Sequence, residues 1–492
     1  MALIDLSPDT SSFIAKDKKI LIGGQWSDAA SDARVNVVNP SDGSVLGAFG
    51  DASAEDVDRA VAAARKAFEE GPWRTMKPGE RAALSHACAA AMAAHHEELA
   101  QLESLDTGQP TTSARGEISA AIGAIRYYAG WADKITGTTH SINMPGDHHV
   151  YTLKEPVGVA ALVVPWNYPI VMAAMKLGPC LAAGCTAVLK PAEDTSLTAL
   201  RLGELFLEAG LPEGVLNIVT GYGATTGNAL INHAGIDKIA FTGSTVTGKI
   251  IAHAAAERLK KVSLELGGKS PNIIMPDADL ETAIPASAMS IFWNTGQTCT
   301  AASRLYVHED IKDEVIAGVA EVGKSLKLGA GLDEETQIGP IVSEKQFDKV
   351  QDYIELGASE GAEIASGGKR HGNTGFFIEP TVIANTTNDM RVVREEIFGP
   401  VLVTQTFKTE DEAIALANDS DYGLAGSVWT GDVATAHRMA RRIKAGIIGI
   451  NNASGADWDV PLGGYKQSGV GRENGRDGLE LYLQTKSVFT TL

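Results

Sequence analysis

The feature that most limits what this chain can fold into is an alternation that begins near Gly158. Short β-branched runs appear at VAALVVP, TAVLKP, VLNIVTG, KIAFTGS and KVSLELGG, and helix-like segments separate most of them. Strands alternating with helices at this spacing form βαβ units, which build a parallel sheet. One separating segment, LTALRLGELFLEA, has Thr195 or Ser196 as an N-cap and Gly210 then Pro212 as a stop. A sheet of this kind takes ligands beyond the carboxyl ends of its strands. The residues that follow the runs are Pro165, Trp166 and Asn167, then Lys190 and Pro191, Gly221, Gly243 with Ser244 and Thr245, and Gly267 with Gly268. They form a predicted cofactor rim.

Upstream, ILIGGQW and VVNPSDGSVLG read as strand and turn. A helix follows, because Ser53 and Asp56 form a capping-box pattern and Val57, Val61, Ala64 and Phe68 fall on one face. Residues 80–135 read as Ala-rich helix ending in RYYAGWADK. A second α/β stretch runs from about Leu280 to Ile450, and the tail returns to helix and a short β-like end. At about 150 residues per domain the length allows roughly three domains, or fewer if one is a large α/β unit.

Composition matters mainly for what it excludes. With 44% apolar and 21% charged residues, the chain is globular rather than disordered or collagen-like. A net charge of −19 disfavours phosphate backbones and anionic lipid surfaces, so neither nucleic acid nor membrane is an expected partner. Cys88, Cys180, Cys185 and Cys299 have no repeated spacing, which fits a reducing compartment. The start, MALIDLSPDT, has no basic and apolar leader pattern, and no apolar run approaches the length of a membrane span. The expectation is a cytoplasmic protein.

Cys299 lies in FWNTGQTCTAASR, a Gly-, Thr- and Ser-rich segment, whereas Cys180 sits in the apolar run LGPCLAAG. The polar setting makes Cys299 a candidate nucleophile, against the usual buried structural role of a lone cysteine. Glu265, at the end of an apolar strand and before two glycines, is a candidate base with a raised pKa, or else a solvent-facing edge residue. Asn167 lies between Pro165 and Pro169, which fix the backbone around its amide; it is a candidate oxyanion donor or a turn-forming Asn. FTGSTVTG reads as strand, tight turn and helix start, a place for phosphate. Glu193 could accept hydrogen bonds from a ribose diol, but it precedes the glycines, so the ordinary dinucleotide fingerprint does not apply. Cys180 and Cys185 lack the second pair a metal site needs, and no metal is expected. His95, His96, His148 and His149 read as surface residues.

Taken in order, PWNYP, KPAE, FTGSTVTG, LELGGKSPNII, FWNTGQTC, EEIFGPV and PLGGYKQSGVGRE resemble the NAD(P)-dependent aldehyde dehydrogenase superfamily along essentially the whole chain. The resemblance implies two doubly wound α/β domains, one Rossmann-like for the cofactor and one catalytic, with a small β oligomerisation segment. It divides the chain into 1–136 with 155–265 for NAD, 266–474 for catalysis, and 137–154 with 475–492 for assembly into dimers or tetramers. It implies Cys299 as nucleophile, Glu265 as general base, Asn167 as oxyanion amide and Glu473 as a proton relay. Lys190 and Glu193 match the adenosine-ribose positions, Ser244 within Gly243–Gly248 a pyrophosphate contact, and Glu396 with Phe398 the nicotinamide-ribose clamp. Pro165, Trp166, Gly223, Gly243, Thr245, Gly248 and Leu266 complete the implied cofactor set. NAD is favoured over NADP because Glu193 would repel a 2′-phosphate, with Lys190 leaving dual use open.

The implied aldehyde tunnel comprises Tyr168, Met172, Met175, Trp293, Thr298, Thr300, Trp458 and Leu462, the last standing where many members have Phe. These are mostly apolar, and the loop NNASGADWDVPL has no Arg or Lys for a substrate carboxylate. The expected substrate is a neutral, medium-sized aliphatic or aromatic aldehyde. Tyr168 and Trp458 as a cage for trimethylammonium keep betaine aldehyde open, and a semialdehyde is a further alternative. So are a CoA-acylating enzyme, against which Glu265 argues, and a non-catalytic protein of the same fold.

Overall fold

The computed structural model describes residues 5–453, 455 and 457–492. Residues 1–4, part of the start read above, and Ser454 and Ala456, in the NNASGADWDVPL loop, lie outside the described residues.

The five β-branched runs become strands Val159–Val163, Thr186–Lys190, Leu216–Ile218, Lys238–Thr242 and Lys261–Glu265. All pair in parallel. Ile20–Ile22 and Gln25–Ser27 extend one side of the sheet, and Gly469–Val470 pairs antiparallel with Leu264–Glu265 on the other. Alternate side chains feed two separate cores. Ala160, Leu162, Ala187 and Leu189 pack with helices Pro78–Ala94, Thr111–Ala129 and Pro169–Ala183. Val159, Ala161 and Val188 pack with Val57, Val61 and Ala64 of helix Ala54–Glu69. Burial on both faces is what a parallel sheet requires. The strand order reverses between Val159–Val163 and Lys238–Thr242, so a crevice opens there at the carboxyl ends.

A second sheet has the order 363–366, 381–384, 401–407, 304–308, 271–274, 425–429, 447–450, parallel except for the first strand. The tail strand Leu483–Thr491 pairs antiparallel with His148–Pro156, which also holds Thr139–His140.

Local signals translate unevenly. Ser53 and Asp56 make the expected capping box, worth about 1 kcal/mol. Phe68 is only half-buried, and Ala67 takes the core position instead. Helix Leu197–Glu208 starts after Ser196, but neither Ser196 nor Thr195 supplies the cap. Buried Asp106 from another helix accepts from Leu197 N at 2.7 Å. His95 and His96 are half-buried rather than on the surface, and His95 Nδ1 lies 2.7 Å from Glu98 Oε2. Among the described residues, no helix is long and apolar enough to cross a membrane.

Candidate active site

The crevice of the first sheet faces the second sheet. Beyond Val159–Val163 the chain runs through Pro165 and Trp166 to Asn167, then enters helix Pro169–Ala183 with a proline at its start. Trp166 stacks edge-on against Phe398, just ahead of strand Val401–Phe407 of the second sheet, with ring centres 5.2 Å apart. Phe398 has a left-handed backbone, φ 62°. Gln346 Nε2 holds this turn by donating to the Ile397 and Phe398 carbonyls.

Cys299 lines a cavity of about 750 Å³ with Glu265. Tyr168, Met172, Met175, Trp293, Thr298, Thr300 and Leu462, all expected in the tunnel, line it too. Trp458 does not. A Cβ placed on Gly123 would come 2.9 Å from its Nε1, so the indole packs toward helix Thr111–Ala129. Val171, Met289, Trp429 and Ile447 add apolar wall that the sequence reading did not identify, and Ser290, Ser427 and Asn451 add polar atoms. Glu265 is the sole charged side chain among the described residues lining it.

Glu265 closes strand Lys261–Glu265, flanked by Lys238–Thr242 and Gly469–Val470, so it is not a solvent-facing edge residue. It is buried, and neither carboxyl oxygen receives a hydrogen bond. Desolvation, reinforced by Glu473, pushes its pKa well above the usual carboxylate range, with Lys176 and Arg472 pulling the other way. Burial likewise pushes the Cys299 thiol up to about 12, with Glu396 and Glu265 adding to the effect. A thiol in that state needs a base before it can attack.

Asn167 is buried, and its Nδ2 donates to the Gln297 carbonyl at 2.8 Å. An amide nitrogen has two N–H groups, so one remains for an oxyanion. Gly268 lies so close to the nucleophile that a Cβ there would stand 2.2 Å from the Cys299 carbonyl oxygen. Its N–H donates to Glu396 Oε1 at 2.8 Å.

Glu473 is buried in an ion pair with Lys176. Lys176 Nζ also donates to Thr242 Oγ1 at 2.8 Å, and Thr242 lines the cavity beside Glu265. Lys176 was missed in the sequence. Its signal was present, because it is the only charged residue in the apolar helix PIVMAAMKLGPCLAA, and a buried lysine needs a partner.

The residues expected to hold a cofactor gather around the crevice. Lys190 ends its strand buried, with Nζ 3.0 Å from the Pro191 carbonyl and 3.7 Å from Glu193 Oε2. Ser244 caps helix Thr245–Ala256 by accepting from Thr247 N. Thr245 Oγ1 reaches the Gln467 carbonyl at 3.4 Å. Gly248 leaves room for Leu266, whose Cδ2 would stand 2.4 Å from an added Cβ. Gly223 opens the turn Gly223–Gly227 and has open space where a Cβ would stand. A helix N-terminus, a buried cation beside a carboxylate, and unobstructed glycine backbone suit a pyrophosphate and a ribose diol.

Comparison with known proteins gives this arrangement a family. The model of the aldehyde dehydrogenase family matches residues 26–488. An aldehyde dehydrogenase of Emericella nidulans is 47% identical, over 95% of this chain and 94% of its own. The mitochondrial benzaldehyde dehydrogenase of Antirrhinum majus is 47% identical over 96% and 89%. The NAD+ complex of the Bacillus cereus aldehyde dehydrogenase superposes with a TM-score of 0.98 at 47% identity, covering 100% of both chains. The chain belongs to the aldehyde dehydrogenase family.

Proposed function

We propose that this protein oxidises a neutral, medium-sized aromatic or aliphatic aldehyde to its carboxylic acid, with NAD as acceptor. The observation that carries this reading is the cavity itself, where the Cys299 sulfur and an unpartnered Glu265 carboxyl share apolar walls.

Cys299 loses its proton to a base in the cavity and attacks the carbonyl carbon, giving a thiohemiacetal. The free N–H of Asn167 and the Cys299 backbone N–H stabilise the oxyanion, each such donor being worth about 3–4 kcal/mol. NAD held at the crevice would supply the acceptor for the hydride lost from the thiohemiacetal carbon, which leaves a thioester on the Cys299 sulfur. Glu265 then takes a proton from water, and the hydroxyl displaces the Cys299 sulfur as the acid is released. In this reading Glu473, held by Lys176, which also donates to Thr242 in the cavity wall beside Glu265, acts as the proton relay.

Pro165, Trp166, Lys190, Glu193, Gly223, Gly243, Ser244, Thr245, Gly248, Leu266, Glu396 and Phe398 form the NAD site in this reading. The partly exposed Glu193 carboxylate favours NAD over NADP by repelling a 2′-phosphate. Among the described lining residues there is no cation to hold an ω-carboxylate. Because Trp458 lies off the cavity, a trimethylammonium cage loses one wall, so betaine aldehyde is the less favoured substrate. The domain division drawn from the sequence, a cytoplasmic location, and assembly of copies through 137–154 and 475–492 belong to the same proposal. Exposed Leu153 and Phe489 on that small sheet, with exposed Leu492 just past its tail strand, support the assembly.

The test combines an NADH-absorbance screen of aldehydes with intact-mass spectrometry after rapid quenching. Reduction with benzaldehyde or phenylacetaldehyde, and an acyl adduct on Cys299, are expected. Exclusive use of an ω-carboxylated aldehyde would overturn the substrate class. Turnover without any adduct at Cys299 would overturn the mechanism.

A further inference from the structure

The segment that delivers Cys299 to the cavity is bent in an unusual way. Asn294 has φ 47° and ψ 33°, and Thr295 has φ 56° and ψ 33°. Two consecutive non-glycine residues in the left-handed region are uncommon, and a β-branched Thr there is strained. Such backbone persists only when its surroundings hold it. Thr295 Oγ1 donates to the Gly339 carbonyl at 3.0 Å. Gln297 Nε2 donates to the Asn294 carbonyl at 3.2 Å, and Gln297 Oε1 accepts from Val342 N at 3.0 Å.

The Asn294 side chain is used differently. Its Nδ2 donates to the Asn167 backbone carbonyl at 2.9 Å and lies 3.5 Å from the Gln297 carbonyl. The next residue after Asn167, Tyr168, is tied to the same loop by its hydroxyl, 2.7 Å from Thr298 Oγ1. Asn167 is therefore gripped twice by one loop. Its side chain donates to Gln297, and its own carbonyl receives Asn294. The first contact fixes which N–H of the Asn167 amide stays free, and the second fixes the backbone from which that amide projects.

We infer that Asn294 is a positioning residue for the oxyanion amide, acting through the Asn167 carbonyl. Only a side chain that tolerates a left-handed backbone and carries a donor can close this clamp. Asn does both, since its short amide suits that backbone region. The inference rests on the catalytic reading above and extends it to a residue that does not line the cavity. A donor displaced by about an ångström loses on the order of 100-fold in rate, so a loosened clamp is read in the acylation step rather than in folding.

The experiment is a double-mutant cycle on the full-length enzyme. It follows the pre-steady-state NADH burst with benzaldehyde and, separately, the melting temperature and cofactor binding. Asn294→Asp keeps shape and backbone tolerance but loses the donor. Asn294→Gly keeps the left-handed backbone without the side chain, and carries the test if the Asp variant fails to fold. Each is expected to slow the burst about 10-fold or more, with cofactor binding near the parent value. In an Asn167→Gly background, Asn294→Asp is expected to add little, since its effect passes through the missing amide. A full-rate burst in either single variant, or losses that multiply in the double variant, would overturn the inference. A parent enzyme with no burst and no Cys299 adduct would instead bring down the catalytic reading beneath it.

Discussion

The two sheets meet at one crevice but approach it from opposite ends. The first presents carboxyl ends: Asn167, Lys190, Ser244 and Glu265 close or follow its strands. The second presents amino ends. Gly267 and Gly268 precede Pro271–Ile274, Cys299 precedes Arg304–His308, and Glu396 with Phe398 precede Val401–Phe407. The carboxyl-end rim is made of strand ends and a capped helix. The amino-end rim is made of strained backbone at Asn294, Thr295 and Phe398, with glycines admitting close approach. In the proposed reading the comparison teaches a division of labour: regular elements would hold the cofactor by repeatable backbone geometry, while the Cys299 sulfur is placed by backbone that no regular element could supply.

The division breaks if Cys299→Ala fails to separate binding from chemistry. That variant should lose aldehyde oxidation entirely while NADH fluorescence titration gives an affinity near the parent's. A comparable loss of both would join the two rims into one function.

A smaller but still large effect sharpens it at the closest approach. Gly268→Ala puts a methyl group 2.2 Å from the Cys299 carbonyl oxygen, where backbone must yield. A fall in kcat/KM of about 100-fold or more is expected. Gly116→Ala, exposed in a helix with open space around its Cβ, should leave activity intact and raise stability by up to about 1 kcal/mol. Equal losses in the two variants would sink the close-approach argument.

Glu265→Gln probes the carboxyl end. Thioester should accumulate on Cys299 and steady-state turnover should collapse, with the burst retained. In the parent, deacylation should rise with pH beyond the ordinary carboxylate range, because Glu265 titrates high. The stability sign follows from the same shift. A carboxyl whose folded-state pKa is raised contributes stability below its unfolded pKa and loses it as pH rises through the folded value. Glu265→Gln removes that loss, so its melting temperature should exceed the parent's by a margin that widens with pH. A flat difference across the titration would argue that Glu265 is neither desolvated nor functional.

The smallest effect belongs to the regular rim. Ser244→Ala removes the cap from helix Thr245–Ala256 and should cost about 1 kcal/mol of stability. It should also raise the KM for NAD severalfold while kcat stays near the parent value. A kcat loss larger than the KM change would contradict the proposed division.

How much of this was legible follows the same line. The five parallel strands and their rim could be read because alternation and strand-end residues are local signals. The capping box at Ser53 was equally local, whereas Asp106 capping the helix after Ser196 comes from 91 residues away and leaves no local trace. On the second sheet's side, motif resemblance singled out Cys299, which lines the cavity, but nothing in FWNTGQTC announces consecutive left-handed residues at Asn294 and Thr295. Trp458 shows the limit of carrying a pocket over by resemblance: the family pattern implies it in the tunnel, yet Gly123 makes room for its indole elsewhere. Lys176 was readable and passed over, since a single cation in an apolar helix already demands a buried counter-charge.

That same helix ties together two properties usually tuned apart. Met172 and Lys176 stand one turn apart on Pro169–Ala183, with Met175 between them; the methionines line the cavity, and the lysine pairs with Glu473, the proposed proton relay. Anyone enlarging the tunnel for bulkier molecules will therefore disturb the drain for protons as well. Variants selected for a new scope should show slowed product release unless Thr242 or Glu473 is retuned alongside.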